Sequence, residues 1–287
     1  MRFSRKKYVG YLLERNYDGA LSYLAEVMPN SLFKFFSLGR CKKMNSRKLT
    51  TLKENKIWVD LFSNQNDPFE MVNLDIDKTS VKGKKDRLGN ELLNEDGAFS
   101  AYKRFMDYYK NTLKTASFSA ELETNISMWA YYTNNHEGFC CEYEVLDRSK
   151  EAMEIIKPVL YSKRIKKTLA LDVERWIADS YNAKTPFEAI LSQRNKTEEI
   201  KGIASSKHVS WGNEKEFRAF YEGEDNGSGE AVFCSVLNLK IKAIYAGIKC
   251  KEKYKRKLQR IAKSLKVDYY EMHVSADRYS LYKELKK

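Results

Sequence analysis

From Trp211 to Tyr221 the chain reads Trp-Gly-Asn-Glu-Lys-Glu-Phe-Arg-Ala-Phe-Tyr. The alternation from Glu214 to Phe220 has the period of a strand. It predicts Glu214, Glu216 and Arg218 on one side and Lys215, Phe217 and Ala219 on the other. Two carboxylates and a guanidinium on one face of an otherwise apolar strand are costly unless they are paired or used. Paired, they form a structural Glu–Arg contact at a sheet edge. Used, they belong to a catalytic set that other parts of the chain must complete. Asn66-Asp67-Pro68-Phe69-Glu70 offers two further carboxylates. Asp67, Glu70, Glu214 and Glu216 gathered around a divalent metal would make a nuclease. The same stretch also reads as a capped turn, because short polar side chains satisfy nearby backbone groups and Pro68 fixes φ. Asn135, His136 and Gly138 carry the same two readings, a tight turn or a site histidine. Lys207 is a candidate phosphate contact.

These residues need elements to hold them. Residues 8–29 have helical spacing up to Pro29, and Leu32–Ser37 reads as a short buried strand with one charge, Lys34. A helix is predicted over 45–55 with Asn45 or Ser46 as its cap, then a strand over Ile57–Phe62. Residues 75–97 are polar, with Gly83, Gly89 and Gly97, and read as a mobile excursion. Next come a helix over 99–113, a strand over 116–119 and a short aromatic helix over 125–133. Strands follow at 139–145 and 158–161, then helical periodicity over 168–206. After the acidic strand come strands at 232–237 and 241–246. Lys251–Lys266 is an amphipathic helix with eight Lys/Arg around an apolar stripe, and a strand near 268–274 closes the chain. Six to eight strands interleaved with helices, without regular βαβ spacing, predict an α+β fold. We expect one domain over 1–287, with 1–30 as an N-terminal helical extension.

Composition narrows the partners. The 287 residues carry 52 Lys and Arg against 39 Asp and Glu, a net charge of +13, which favours polyanionic partners such as RNA, DNA or anionic cofactors. The basic 251–266 helix is the candidate nucleic-acid surface, or else simply a solvated face. Five cysteines in no framework spacing predict reduced thiols and a cytoplasmic chain, and three scattered histidines predict no zinc site. No apolar run approaches 18 residues, so neither a membrane span nor a signal peptide is expected.

Three linked blocks resemble a bacterial family known as domain of unknown function 2971. They are Leu32–Ser37 with Asn66–Glu70; Phe118-Ser119 with Met128–Tyr132 and Asn135–Phe139; and Lys207 with Trp211, Glu214, Glu216 and Arg218. Ile244-Tyr-Ala-Gly247 also fits, so the likeness spans about residues 30–250. The order of blocks is more distantly similar to the ADP-ribosyltransferases. That resemblance implies a split, twisted mixed sheet with flanking helices and NAD as the cofactor. It puts Lys34 where a His or Arg grips the adenosine side, although lysine lacks the planar donor fork. It also implies Ser119, Trp129 and Tyr132 around the nicotinamide, and Glu216 as the catalytic carboxylate.

Glu216 would then stabilise the oxocarbenium-like ribose as nicotinamide leaves, and Glu214 would act as base toward the acceptor. Arg218 would pair with either carboxylate or hold the pyrophosphate, while Asn66, Asp67, Glu70 and His136 line the site. The acceptor would be nucleic acid or protein. The implied setting is a toxin or phage-defence effector with a neutralising or defence-system partner. A non-catalytic nucleic-acid-binding module of a defence system is the alternative from another class.

Overall fold

The structure is a computed structural model that describes residues 3–67, 69, 107–163, 194–195, 197–202 and 204–286. It begins with two helices, α1 (Arg5–Leu13) and α2 (Tyr17–Val27), where the spacing predicts one. Arg15 takes φ 57°, and the Asn16 side chain accepts from Gly19 N to start α2 afresh. Strand β1 (Ser31–Phe36) leads into α3 (Lys42–Lys53) and β2 (Lys56–Leu61). The cap of α3 is not Asn45 or Ser46. The helix starts three residues earlier than Asn45, and Asn45 is buried within it, bonded to Gly39 and to the Tyr254 hydroxyl. Leu49 and Leu52 face inward as their spacing predicts.

Residues 107–112 are helical and run into β3 (Leu113–Ser119). Then come α4 (Ile126–Tyr132, capped by Asn125), β4 (Phe139–Val145) and the single turn α5 (Lys150–Met153). The strand predicted at 158–161 is two short pieces, β5 (Ile156–Pro158) and β6 (Leu160–Ser162). After β7 (Ser206–His208) come β8 (Glu216–Glu222), β9 (Glu230–Phe233) and β10 (Leu239–Ala246). The chain ends in α6 (Glu252–Leu265), β11 (Asp268–Val274) and β12 (Leu281–Leu285), a strand beyond those the sequence predicts. The expectations for 75–97 and for most of 168–206 fall outside the described residues.

Ten strands form one mixed, twisted sheet flanked by helices, in the order β12-β11-β10-β4-β1-β3-β2-β9 with β8 on β3 and β5 on β8. Pairing is antiparallel except between β10 and β11; β6 and β7 make a separate parallel pair. The site depends on how β3 is paired. Along its full length it pairs with β8, from Leu113↔Glu222 to Ser119↔Glu216. It meets β2 only at Asp60↔Thr115 and Leu61↔Lys114, and β1 only at Phe33↔Ser119. Between those contacts β1 and β2 part from β3 around Ala116–Phe118, so the sheet carries a notch there. Helix α3, which joins β1 to β2, lies beside it.

Both faces of the sheet are buried, as β4 shows. Cys141 and Tyr143 join a large cluster with Leu21, Leu24 and Leu32, while Cys140 packs on the opposite face with Trp129 and Tyr245. Burial pushes the Cys140 and Cys141 thiols up, so both stay protonated at neutral pH. Where β1, β4 and β10 end together, Asn134, Asn135 and His136 all take positive φ. A Cβ on Gly138 would lie 2.0 Å from the Phe36 carbonyl oxygen, so only glycine lets the two backbones approach this closely. That close approach accounts for the Asn-His-Glu-Gly stretch as a turn.

Candidate functional site

A cavity of about 420 Å³ occupies the notch, lined by β1, α3, β2, β3, α4 and the turn before β8. Lys34 enters from β1. Its ammonium donates to the Ser117 carbonyl oxygen at 3.2 Å, a group at the edge of β3 that no strand covers, and lies 5.3 Å from the Phe118 ring centre. Burial drives the Lys34 ammonium down to about 8 against the pull of Glu216 and Asp60.

The acidic end is built by a break in the predicted alternation. Glu214 is not in the strand; it closes a 3-10 turn over Val209–Glu214, and Lys215 takes φ 49° before β8 begins at Glu216. Asn125, the cap of α4, holds this turn by donating to the Asn213 carbonyl at 2.8 Å, and Asn213 donates to the Ser127 hydroxyl at 2.7 Å. Tyr161 accepts from Glu216 N at 2.9 Å. The left-handed residue swings Glu214 round, and both carboxylates reach the cavity. Each is 4% exposed.

Lys207 on β7 lies between them, 3.0 Å from Glu214 Oε2 and 2.7 Å from Glu216 Oε2. Arg218 Nε donates to Glu216 Oε1 at 2.9 Å, and its Nη1 donates to the Ala204 carbonyl. The Tyr132 hydroxyl donates to Glu214 and accepts from Asn66 Nδ2. Burial raises Glu214, and the neighbouring Glu216 charge adds to the rise, so it outweighs Lys207 and Tyr132. Burial works the same way on Glu216, but Arg218 and Lys207 together overcome it and hold the carboxyl at about 2. Two carboxylates on one cavity are thus pushed apart: Glu216 stays ionised, while Glu214 can take up and release a proton.

Of the residues singled out in the sequence, Lys34, Asn66, Tyr132, Lys207, Glu214 and Glu216 line this cavity. The others do not. Arg218 is fully buried behind Glu216, with its guanidinium 5.5 Å from the Phe62 ring, so it positions the carboxylate and is not placed to meet a pyrophosphate. Ser119 is buried and accepts from Glu121 N and Asn125 Nδ2, bracing the entry to α4. Trp129 is sealed on the opposite face of the sheet, edge-on to Phe35, with Nε1 donating to the Leu122 carbonyl, so it cannot stack on a ligand here. Asp67 is buried and accepts from Phe69 N. His136 sits in the turn at Gly138. Glu70 lies outside the described residues.

The structure adds Asp60, Trp58, Arg47 and Lys48 to the lining. Asp60 was legible in principle: in β2, Ile57, Val59 and Leu61 are buried while Lys56, Trp58 and Asp60 are half-buried on the other face. Arg47 and Lys48 on α3 carry no such signal, because basic residues are common on any helix surface. Among the described residues no three His, Cys, Asp or Glu side chains gather as a metal site. None of the helices among them is long and apolar enough to cross a membrane.

The family model described as "Protein of unknown function (DUF2971)" matches residues 128–219. That span includes Tyr132, Lys207, Glu214, Glu216 and Arg218; Lys34 and α3 precede it. No curated protein and no solved structure matches the chain.

Proposed function

We propose that the cavity binds NAD and that Glu216 promotes cleavage of the bond between nicotinamide and ribose. Nicotinamide departs with the bonding electron pair, leaving positive charge on the ribose. The fixed carboxylate of Glu216 faces that charge and accepts from a ribose hydroxyl. The acceptor's oxygen or nitrogen then bonds to the anomeric carbon, and its proton passes to Glu214, whose raised affinity for a proton suits a general base. The observation that carries this reading is the convergence of Lys34, Tyr132 and Glu216 on one cavity, with Glu214 beside them. The walls suit a dinucleotide: Trp58, Phe36 and Phe118 offer apolar surface to the rings, and Lys34 supplies positive charge.

Nucleic acid is the acceptor class favoured by the surface. On α6, Lys253, Arg256, Lys257, Arg260 and Lys263 are exposed while Leu258, Ile261 and Ala262 face the core. A metal-dependent nuclease has less support, since Asp67 does not line the cavity. The test is release of nicotinamide from NAD in the presence of RNA, DNA or protein acceptors. Wild-type protein releases it, and Glu216→Gln slows release on the order of 100- to 1000-fold. Absence of release with every acceptor pool would overturn the proposal.

A further inference from the structure

The cations around the cavity divide into two groups. At the β8 end each has a carboxylate: Lys207 contacts Glu214 and Glu216, and Arg218 contacts Glu216. At the α3 end Lys34, Lys48 and Arg47 line the wall, and none of them forms an ion pair with a described residue. Lys34 reaches the Ser117 carbonyl, and Lys48 donates to the carbonyl and hydroxyl oxygens of Ser37 at 2.8 Å each. Arg47 lies over Trp58, its guanidinium carbon 3.4 Å from the ring centre, and Trp58 is in turn fixed by Nε1 donating to Asp60 at 3.1 Å.

Charges at a partly desolvated wall lose hydration, and burial accordingly pushes the Lys34 and Lys48 ammonium groups down. An anion seated among them would offset that cost. The arginine matters most for recognition. Stacking on an indole fixes the plane of the guanidinium and leaves its N–H fork free, an arrangement that suits two oxygens of one phosphate.

We propose that the α3 end of the cavity seats a phosphate or pyrophosphate group, gripped by Arg47 on its Trp58 platform and neutralised by Lys34 and Lys48. The ligand class is therefore a nucleoside diphosphate or dinucleotide rather than a free nucleoside. Lys207, already committed to carboxylates, is left to the ribose end, with Arg218 buried behind Glu216. The assignment rests on the NAD reading only in making this group the pyrophosphate of NAD; the seat itself does not require cleavage.

Calorimetric titration with inorganic pyrophosphate, ADP and adenosine tests it. Wild-type protein should bind pyrophosphate and ADP more tightly than adenosine. Arg47→Met and Lys48→Met should each weaken both anions on the order of tenfold to a hundredfold. Lys6→Gln with Lys240→Gln, at exposed positions that do not line the cavity, should leave them unchanged. The seat is overturned if pyrophosphate does not bind, or if Arg47→Met combined with Lys48→Met binds it as the wild type does. Nicotinamide release separates the two proposals. Anion binding lost in Arg47→Met without any release from NAD keeps the seat and removes the enzyme. Release that Glu216→Gln abolishes, with anion affinity indifferent to Arg47, does the reverse.

Discussion

Glu142 on β4 and Glu216 on β8 are both buried glutamates on central strands, and each is held by a lysine. Glu142 is fully engaged: Ser31 and Lys242 donate to one oxygen at 2.6 and 2.8 Å, and the Tyr245 hydroxyl donates to the other. Burial would raise it, yet these three partners bring it below the ordinary carboxylate range. It is not part of the cavity wall. Glu216 is also held low, by Arg218 at Oε1 and by the Lys207 ammonium 2.7 Å from Oε2, but its side chain lines the cavity. A carboxylate bonded at both oxygens and away from any cavity is an internal brace. One whose charge is secured from behind while its side chain lines a cavity is placed to meet a ligand.

The largest expected effect that sharpens this contrast is on stability. Arg218→Met leaves Glu216 buried with Lys207 as its remaining cation, and breaking such a pair costs on the order of 3–5 kcal/mol. Thermal unfolding should show it, and an unchanged midpoint would mean that the pair does not secure the carboxylate. Next is Glu142→Gln, which strips the charge from a braced group and should cost about 1–3 kcal/mol while leaving nicotinamide release intact. A loss of release there would erase the distinction between the two glutamates.

The smallest effect concerns pH. In the proposed reaction Glu214 acts as base only when ionised, and burial raises its affinity for protons. Activity should therefore fall as pH drops through a value above the ordinary carboxylate range. Tyr132→Phe removes a donor that lowers Glu214, so the acid limb of the rate profile should move to higher pH. A limb that stays in place would detach Glu214 from the reaction.

Much of the sheet was legible because alternation reports burial directly. Alternation gives β4 residue for residue and puts Glu216 and Arg218 on one face of one strand. Glu214 shared their destination for a different reason: a left-handed Lys215, which no period-two reading contains. The aromatic helix shows the limit at the site. Trp129 and Tyr132 stand three residues apart, close enough for a seven-residue helix to present either, and only tertiary packing seals the first into the core while turning the second to Glu214. β12 carries little such signal, because four of its five residues are exposed and the half-buried pattern that marks a strand is missing. The notch itself depends on two strands meeting one edge of β3 at different heights, a long-range register that local sequence does not encode.

The most direct test of the central claim compares nicotinamide release by Glu216→Gln and Glu142→Gln, each confirmed folded, under the same NAD and acceptor conditions. Glu216→Gln should be slowed on the order of 100- to 1000-fold relative to wild type, with Glu142→Gln close to wild type. Equal rates in the two variants, or no release by the wild type, would contradict the assignment of Glu216 as the carboxylate that cleaves NAD.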